Sequence, residues 1–152
     1  MMVKVFAIGL AFFPILAGAA LDKHTELRGS DGYLDLRNGT YQCESQSGKD
    51  DGLKKEKIPV TLYVEKNTQS NELFFTVNIE NGIHMTSPML NKTPSKEPDF
   101  VVYSKVIDEK EKSVWALQST TKNGVEGMII KMGGGIQITM GISDCKLIRN
   151  LE

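Results

Sequence analysis

Apolar and polar residues alternate with a period of two along most of this chain, and this pattern constrains the fold more than any other feature. In residues 58–65 and 73–80 every second side chain is apolar. Such alternation predicts β-strands that bury one face, because successive side chains of a strand point to opposite sides. No segment of residues 33–152 has a helical period of useful length. The sequence therefore predicts an all-β fold.

Short turns separate the alternating runs. Asn-Gly pairs at 38–39 and 81–82 each stand between two runs, and this pair is typical of two-residue hairpin turns because both residues tolerate positive φ. The runs add up to about eight main strands. Short connections pair sequence neighbours antiparallel. We therefore expect a small antiparallel meander that closes into a barrel, with a β-sandwich as the alternative.

One stretch, residues 87–98, interrupts the alternation. It contains three of the five prolines in the chain, which predicts an irregular loop and not a strand. Binding residues concentrate on loops that a rigid scaffold holds. We therefore expect residues 87–98 to be a partner-binding loop, with Ser87, Pro88, Lys92 and Lys96 as its contact residues.

The first 20 residues have the three parts of a removable export signal. Lys4 supplies the positive charge, an apolar run of about twelve residues follows, and small residues close the segment at 17–20. The apolar run is too short to span a bilayer. We expect a signal peptide over 1–20, a flexible lead-in over 21–32 and a single β domain over 33–152. The mature protein is then periplasmic or secreted.

The chain contains two cysteines, Cys43 and Cys145. In an exported protein they predict one intramolecular disulfide. Cys43 lies on the first main strand and Cys145 at the end of the last, so the bridge joins strands that become neighbours when the sheet closes. The apolar residues up to Ile142 occupy even positions, whereas Cys145 is odd. One extra residue, as a β-bulge or a strand break near 141–144, would let both face inward.

The two cysteine segments resemble those of a known family. Thr40-Tyr41-Gln42-Cys43 and Ile142-Ser143-Asp144-Cys145-Lys146-Leu147 resemble the corresponding segments of the bacterial MliC/PliC inhibitors of C-type lysozyme. The resemblance implies an exported small β-barrel in which an early Tyr-x-Cys strand is bridged to a Cys-x-Leu near the end. The Ser-Gly-x-x-Tyr string of that family's inhibitory loop does not occur in this chain. No inhibitory residue is therefore carried over.

The chain offers few groups for catalysis or metal binding. It has two histidines and none of the common hydrolase, zinc-protease or P-loop motifs. His84, Met85 and Met89 are soft ligands suited to Cu(I), but His84 and Met85 are strand neighbours and face opposite sides. We expect no enzymatic activity, no cofactor and no metal site.

Charge excludes one further class of partner. The 18 basic and 19 acidic residues nearly cancel and are interleaved along the chain. A protein that tracks phosphates needs a basic stripe, so we expect no nucleic-acid binding.

These observations leave three alternatives for the function. The first is an exported protein-binding module, of a hydrolase-inhibitor-like kind, that acts through residues 87–98. The second is a carrier for a small apolar ligand, because barrels of about eight strands sometimes hold one and Met128, Met132 and Met140 are adaptable lining residues. The third is a structural protein of the cell envelope.

Overall fold

The computed structural model describes residues 27–49, 52–67, 69–80, 82–107, 113–131 and 137–151. The predicted signal peptide, the first part of the lead-in and Met132 lie outside these ranges. The described residues contain no helix, and therefore none that is long and apolar enough to cross a membrane. They form twelve strands: β1 Leu27–Arg28, β2 Leu34–Asp35, β3 Gly39–Lys49, β4 Gly52–Leu53, β5 Ile58–Asn67, β6 Glu72–Ile79, β7 Ile83–Thr86, β8 Leu90–Lys92, β9 Phe100–Ile107, β10 Ser113–Thr120, β11 Gly124–Lys131 and β12 Gln137–Asn150.

Eight of these strands close into an antiparallel barrel, as the sequence predicts. The order around the barrel is β3, β5, β6, β8, β9, β10, β11 and β12, and β12 then pairs with β3. This last pairing runs from Met140 opposite Ser47 to Asn150 opposite Gly39. Strand β7 precedes β8 along the same edge of β6 and pairs with residues 76–79 of β6. Outside the ring, β4 pairs with the end of β3, and β1 and β2 form a two-stranded sheet of their own.

The barrel interior is a continuous apolar core. The predicted alternation places alternate residues of β5 and β6 inside the barrel. Those that are buried are Val60, Leu62, Val64, Leu73, Phe75 and Val77, whereas Ile58 at the start of β5 is exposed. Trp115 packs against this core, and its ring centroid lies 6.0 Å from that of Phe75. The largest fully buried side chains of this core are Tyr41, Tyr103, Phe75, Leu34, Leu36, Leu62, Leu73, Leu90, Leu117 and Ile142.

The predicted bulge occurs on β12. Ser143 lies opposite Glu44 and Lys146 lies opposite Gln42, so three steps on β12 match two steps on β3. Asp144, inside this interval, has a φ of 53°. An extra residue in positive φ resets the facing of a strand, which lets Ile142 and the disulfide of Cys145 both contact the core.

The predicted hairpin at Asn38-Gly39 is wrong. Strand β2 pairs with β1, which lies within the predicted lead-in of residues 21–32, and β3 begins at Gly39 without pairing with β2. Gly39 instead lies between Val64 and Asn150 of its two neighbouring strands. A Cβ atom there would collide with the carbonyl oxygen of Arg149. This glycine allows close strand approach and does not make a two-residue turn.

The predicted loop at 87–98 is also partly wrong, because Leu90–Lys92 forms β8 and completes the barrel between β6 and β9. Ser87 binds β6 at Phe75: the Ser87 N–H donates to the Phe75 carbonyl (2.8 Å), and the Phe75 N–H donates to Ser87 Oγ (2.9 Å). Pro88 has no N–H to contribute. Strands β7 and β8 are therefore two halves of one strand, interrupted at 87–89, and the true loop is 93–99.

The disulfide between Cys43 and Cys145 forms as predicted and joins β3 to β12 across 102 residues. Replacing both cysteines by alanine should lower the free energy of unfolding by about 4 kcal/mol, because a cross-link of this loop length restricts the unfolded chain. Urea unfolding of the oxidised protein and the variant measures the difference. Wild-type protein treated with a reductant is the control and should match the variant. Equal stability of the oxidised protein and the variant would contradict this account.

Candidate functional site

A surface cleft of about 380 Å³ lies at one end of the barrel, beside the 93–99 loop. Its two walls are the turn between β1 and β2 and the loop that follows β8, and the turn between β5 and β6 contributes Asn71. Lys92 sits where β8 ends and the loop begins. The lining residues are Asp31, Tyr33, Leu34, Asn71, Lys92, Thr93, Pro94, Ser95, Phe100 and Val101.

Arg28 fixes the two walls relative to each other. Its guanidinium forms an ion pair of 2.6 Å with Asp99 at the end of the loop. The same group donates to the carbonyls of Gly32, in the turn, and Pro98, in the loop, at 3.0 and 3.1 Å. The Leu34 N–H also donates to the Pro98 carbonyl at 2.7 Å. A planar guanidinium with several donors is suited to holding two backbone segments together. Arg28 therefore anchors the two walls of the cleft to each other.

The loop also carries its own hydrogen bonds. The Thr93 N–H donates to the Val102 carbonyl at 2.9 Å, and the Lys92 N–H donates to the Asn71 carbonyl at 3.1 Å. Further along, the Glu97 N–H donates to Ser95 Oγ at 3.0 Å. Backbone hydrogen bonds therefore fix the start of the loop to β9 and to the turn between β5 and β6, and a side-chain hydrogen bond fixes its middle.

Beneath the cleft, Asp35 is a buried carboxylate with four donors. Its Oδ1 accepts hydrogen bonds from the Tyr103 hydroxyl and the Leu36 N–H, each at 2.8 Å. Its Oδ2 forms an ion pair with Lys66 and a longer one, of 3.4 Å, with Lys92. A buried charge is tolerated only when it is paired and hydrogen-bonded, and this network provides both.

The donors around Asp35 outweigh its burial. Burial alone would raise the pKa of Asp35, but the Lys66 ammonium, the Tyr103 hydroxyl and the Leu36 N–H together hold that pKa below its ordinary value. For Tyr103, burial and the hydrogen bond to Asp35 raise the pKa of the phenol. Tyr103 therefore remains a protonated donor, and Asp35 remains ionised, throughout the neutral pH range.

The four residues predicted for the binding loop fall in two places. Lys92 lines the cleft, and Lys96 is exposed in the 93–99 loop. Ser87 and Pro88 lie instead at the interruption between β7 and β8, where Ser87 is buried and its hydroxyl donates to the Pro88 carbonyl at 2.8 Å. The structure therefore gives Ser87 a place in the barrel wall and only Lys92 a place in the cleft.

The methionines predicted for an apolar lining do not share one surface. Met140 belongs to the interior core. Met128 belongs to a second, separate cluster with Ala116 and Ile130, on alternate residues of β10 and β11 that do not contact the interior. Met132 lies outside the described residues. The two described methionines therefore face opposite sides of the sheet.

Two buried carboxyl groups were not anticipated from the sequence. The signal for Asp35 was present, since it stands between Leu34 and Leu36 in a short apolar run. Glu126 is buried on β11, where its Oε2 accepts a 2.9 Å hydrogen bond from Gln118. Its Oε1 has no hydrogen-bond partner among the described residues. Burial raises the pKa of this carboxyl, and the hydrogen bond from Gln118 offsets only part of that effect. Only Asp35 is next to the cleft.

The described part of the chain contains no cluster of three or more His, Cys, Asp or Glu side chains that could hold a metal ion. Neighbouring His84 and Met85 differ in environment, because His84 is exposed and Met85 packs against the core.

Comparison with known proteins adds no relative. No protein-family model, curated protein or solved structure matches the chain.

Replacing Asp35 by asparagine should destabilise the protein by roughly 3–5 kcal/mol at pH 7, because the partly buried ammonium groups of Lys66 and Lys92 lose their counter-charge. A carboxyl whose folded-state pKa is lowered contributes stability above its unfolded pKa of about 3.9, and that contribution is lost as the pH falls below it. The difference in unfolding free energy between the Asp35→Asn variant and the wild type should therefore shrink as the pH is lowered from about 5 to about 2.

Urea unfolding at pH 7 and at pH 3 measures this dependence. Glu65→Gln is the matched control, because Glu65 is an exposed carboxyl beside Lys66 on the same strand. The control should change stability little at either pH. A destabilisation of the Asp35 variant that is the same at both pH values would show that the charge is not responsible.

Proposed function

We propose that the protein is an exported, non-enzymatic binding module and that the cleft beside the 93–99 loop receives a segment of a partner protein. The observation that carries this proposal is a cleft of about 380 Å³ in which Arg28 links the loop that forms one wall to the turn that forms the other. Proteins commonly place binding residues on loops that a rigid scaffold positions. A barrel with a fixed loop over a cleft fits that arrangement.

The lining of the cleft suits a polypeptide segment. Tyr33, Phe100 and Pro94 offer apolar surface, and aromatic residues are enriched where proteins contact each other. Asn71 and Thr93 add side-chain donors and acceptors, which can pair with the backbone groups of an extended chain. A secreted hydrolase is the class of partner that the resemblance of the cysteine segments implies.

The barrel interior supports this choice over the carrier function. Tyr41, Phe75 and Tyr103 fill it with large, fully buried side chains. Met128, one of the proposed lining residues, lies outside the interior cluster. Binding at the outer cleft requires no rearrangement of this packed core, whereas an interior ligand would have to displace part of it.

Capture of secreted proteins tests the proposal. Biotinylated protein comprising residues 21–152 should retain at least one partner, and a Tyr33→Ala, Pro94→Ala double variant should retain it at least about tenfold more weakly, as expected for a loss of roughly 1.4 kcal/mol. Quantitative mass spectrometry of the retained proteins measures the ratio. C-type lysozyme is the first defined protein to add to the extract.

The matched control is a Lys54→Ala, Lys55→Ala double variant, which alters an exposed turn elsewhere on the barrel. It should retain the same proteins as the wild type. Deletion of residues 87–98 is not suitable, because it would remove β8 from the barrel wall. Identical retention by all three proteins would remove the cleft from the function.

A further inference from the structure

We infer that Lys92 is a carboxylate-binding group and that the partner segment received by the cleft is acidic. This inference rests on the proposed function and specifies its ligand. It follows from the arrangement of the charges beneath the cleft, and from which of the two lysines can turn away from Asp35 without disturbing the fold.

The charge network beneath the cleft contains one positive charge more than Asp35 can neutralise. Two ammonium groups, those of Lys66 and Lys92, share the single oxygen Oδ2 of Asp35. The other oxygen of Asp35 is already occupied by Tyr103 and the Leu36 N–H. The described structure gives the Lys92 ammonium one acceptor for its three donors. The network therefore has a net charge of +1, with unused donors on Lys92.

Lys92 is the ammonium that can leave Asp35. Its distance of 3.4 Å to Oδ2 exceeds the roughly 2.7–2.9 Å of a strong charge-assisted hydrogen bond, and Lys66 is closer to the same oxygen. The Lys92 side chain is 27% exposed, against 14% for Lys66. Only Lys92 of the two lines the cleft. If it turns toward a ligand, Asp35 still retains Lys66, Tyr103 and the Leu36 N–H.

The other charges around the cleft leave this role to Lys92. Arg28 is already paired with Asp99. Asp31 also lines the cleft, on an exposed turn, where its Oδ1 accepts a hydrogen bond from the Tyr33 N–H at 3.0 Å. Water and salt screen an exposed charge strongly, so the repulsion between Asp31 and an entering carboxylate is weak. Lys96 is exposed on the loop but does not line the cleft. For a carboxylate that enters the cleft, Lys92 is therefore the lining cation with hydrogen-bond donors still available.

A stability comparison tests whether Lys92 is dispensable for the fold. The Lys92→Met variant should unfold at a urea concentration within about 0.5 M of the wild type, as expected for loss of a weak, partly exposed pair. The Lys66→Met variant should show a clearly larger loss, because it removes the closer counter-charge of a buried carboxylate. If Lys92→Met is destabilised as much as Lys66→Met, Lys92 is a structural residue and the inference fails.

A titration followed by ¹H–¹⁵N NMR tests the ligand class. The probes are Ac-Gly-Glu-Gly-NH₂, its glutamine counterpart Ac-Gly-Gln-Gly-NH₂, and free glucuronate. The glutamate peptide should shift the amide signals of Lys92, Asn71 and Ser95 more than the other two probes. That preference should disappear in Lys92→Met and persist in the control variant Lys96→Met.

Three results would overturn the inference. Equal shifts from the glutamate and glutamine peptides would show that the cleft binds peptide without reading its charge, which leaves the proposed function intact. Equal shifts from glucuronate and the glutamate peptide would assign the cleft to small anions. The absence of shifts from every probe would remove carboxylate binding, while the capture experiment would still decide separately whether the cleft binds a protein.

Discussion

The pairing of β3 with β12 is the interaction on which the rest of the fold depends. The other barrel pairs join strands that are close in sequence, whereas this one joins the two longest strands of the described chain, of 11 and 14 residues, from opposite ends of the barrel sequence. Bringing such distant segments together costs loop-closure entropy. The disulfide between Cys43 and Cys145, which joins these same two strands, reduces that cost. Closure pairs the outer edges of β3 and β12, which an unclosed eight-stranded sheet would leave open on both sides.

Closure also explains why β12 is irregular. A closed barrel requires tilted, staggered strands, and β12 reaches that stagger through shifts in register against β11 and against β3. The wall has a comparable irregularity on the other side, where Ser87 and Pro88 interrupt the strand beside β6. The Ser87 hydroxyl replaces a backbone acceptor for Phe75. After this interruption β8 is only three residues long, and the chain leaves the barrel wall after Lys92 to form the 93–99 loop, which is one wall of the cleft.

Features that follow from local patterns, or from the one possible pairing of two cysteines, were predictable from the sequence, whereas other contacts between distant residues were not. The alternation in β5 and β6 and the bulge before Cys145 follow from local facing rules, and the closed barrel follows from the short connections and the cysteine pair. The Asn38-Gly39 pair gave a wrong prediction because its turn signal is local. Gly39 is instead needed where β3 passes close to the carbonyl of Arg149 on β12. Of the candidate site, Lys92 was predicted and Asp35 was not. Three side chains bind Asp35 from 31, 57 and 68 residues away, and no local pattern encodes them.

The position of the cleft at the rim, over the only buried carboxylate that contacts two lysines in the described residues, has an energetic consequence. Ordering a free loop on binding costs conformational entropy, but here Arg28 already holds both walls through one ion pair and two backbone carbonyls. In the binding mode proposed above, little of the binding energy would be spent on ordering the protein. Among the described residues that line the cleft, Lys92 is the one whose side chain contacts the buried Asp35, and this makes it the candidate determinant of specificity.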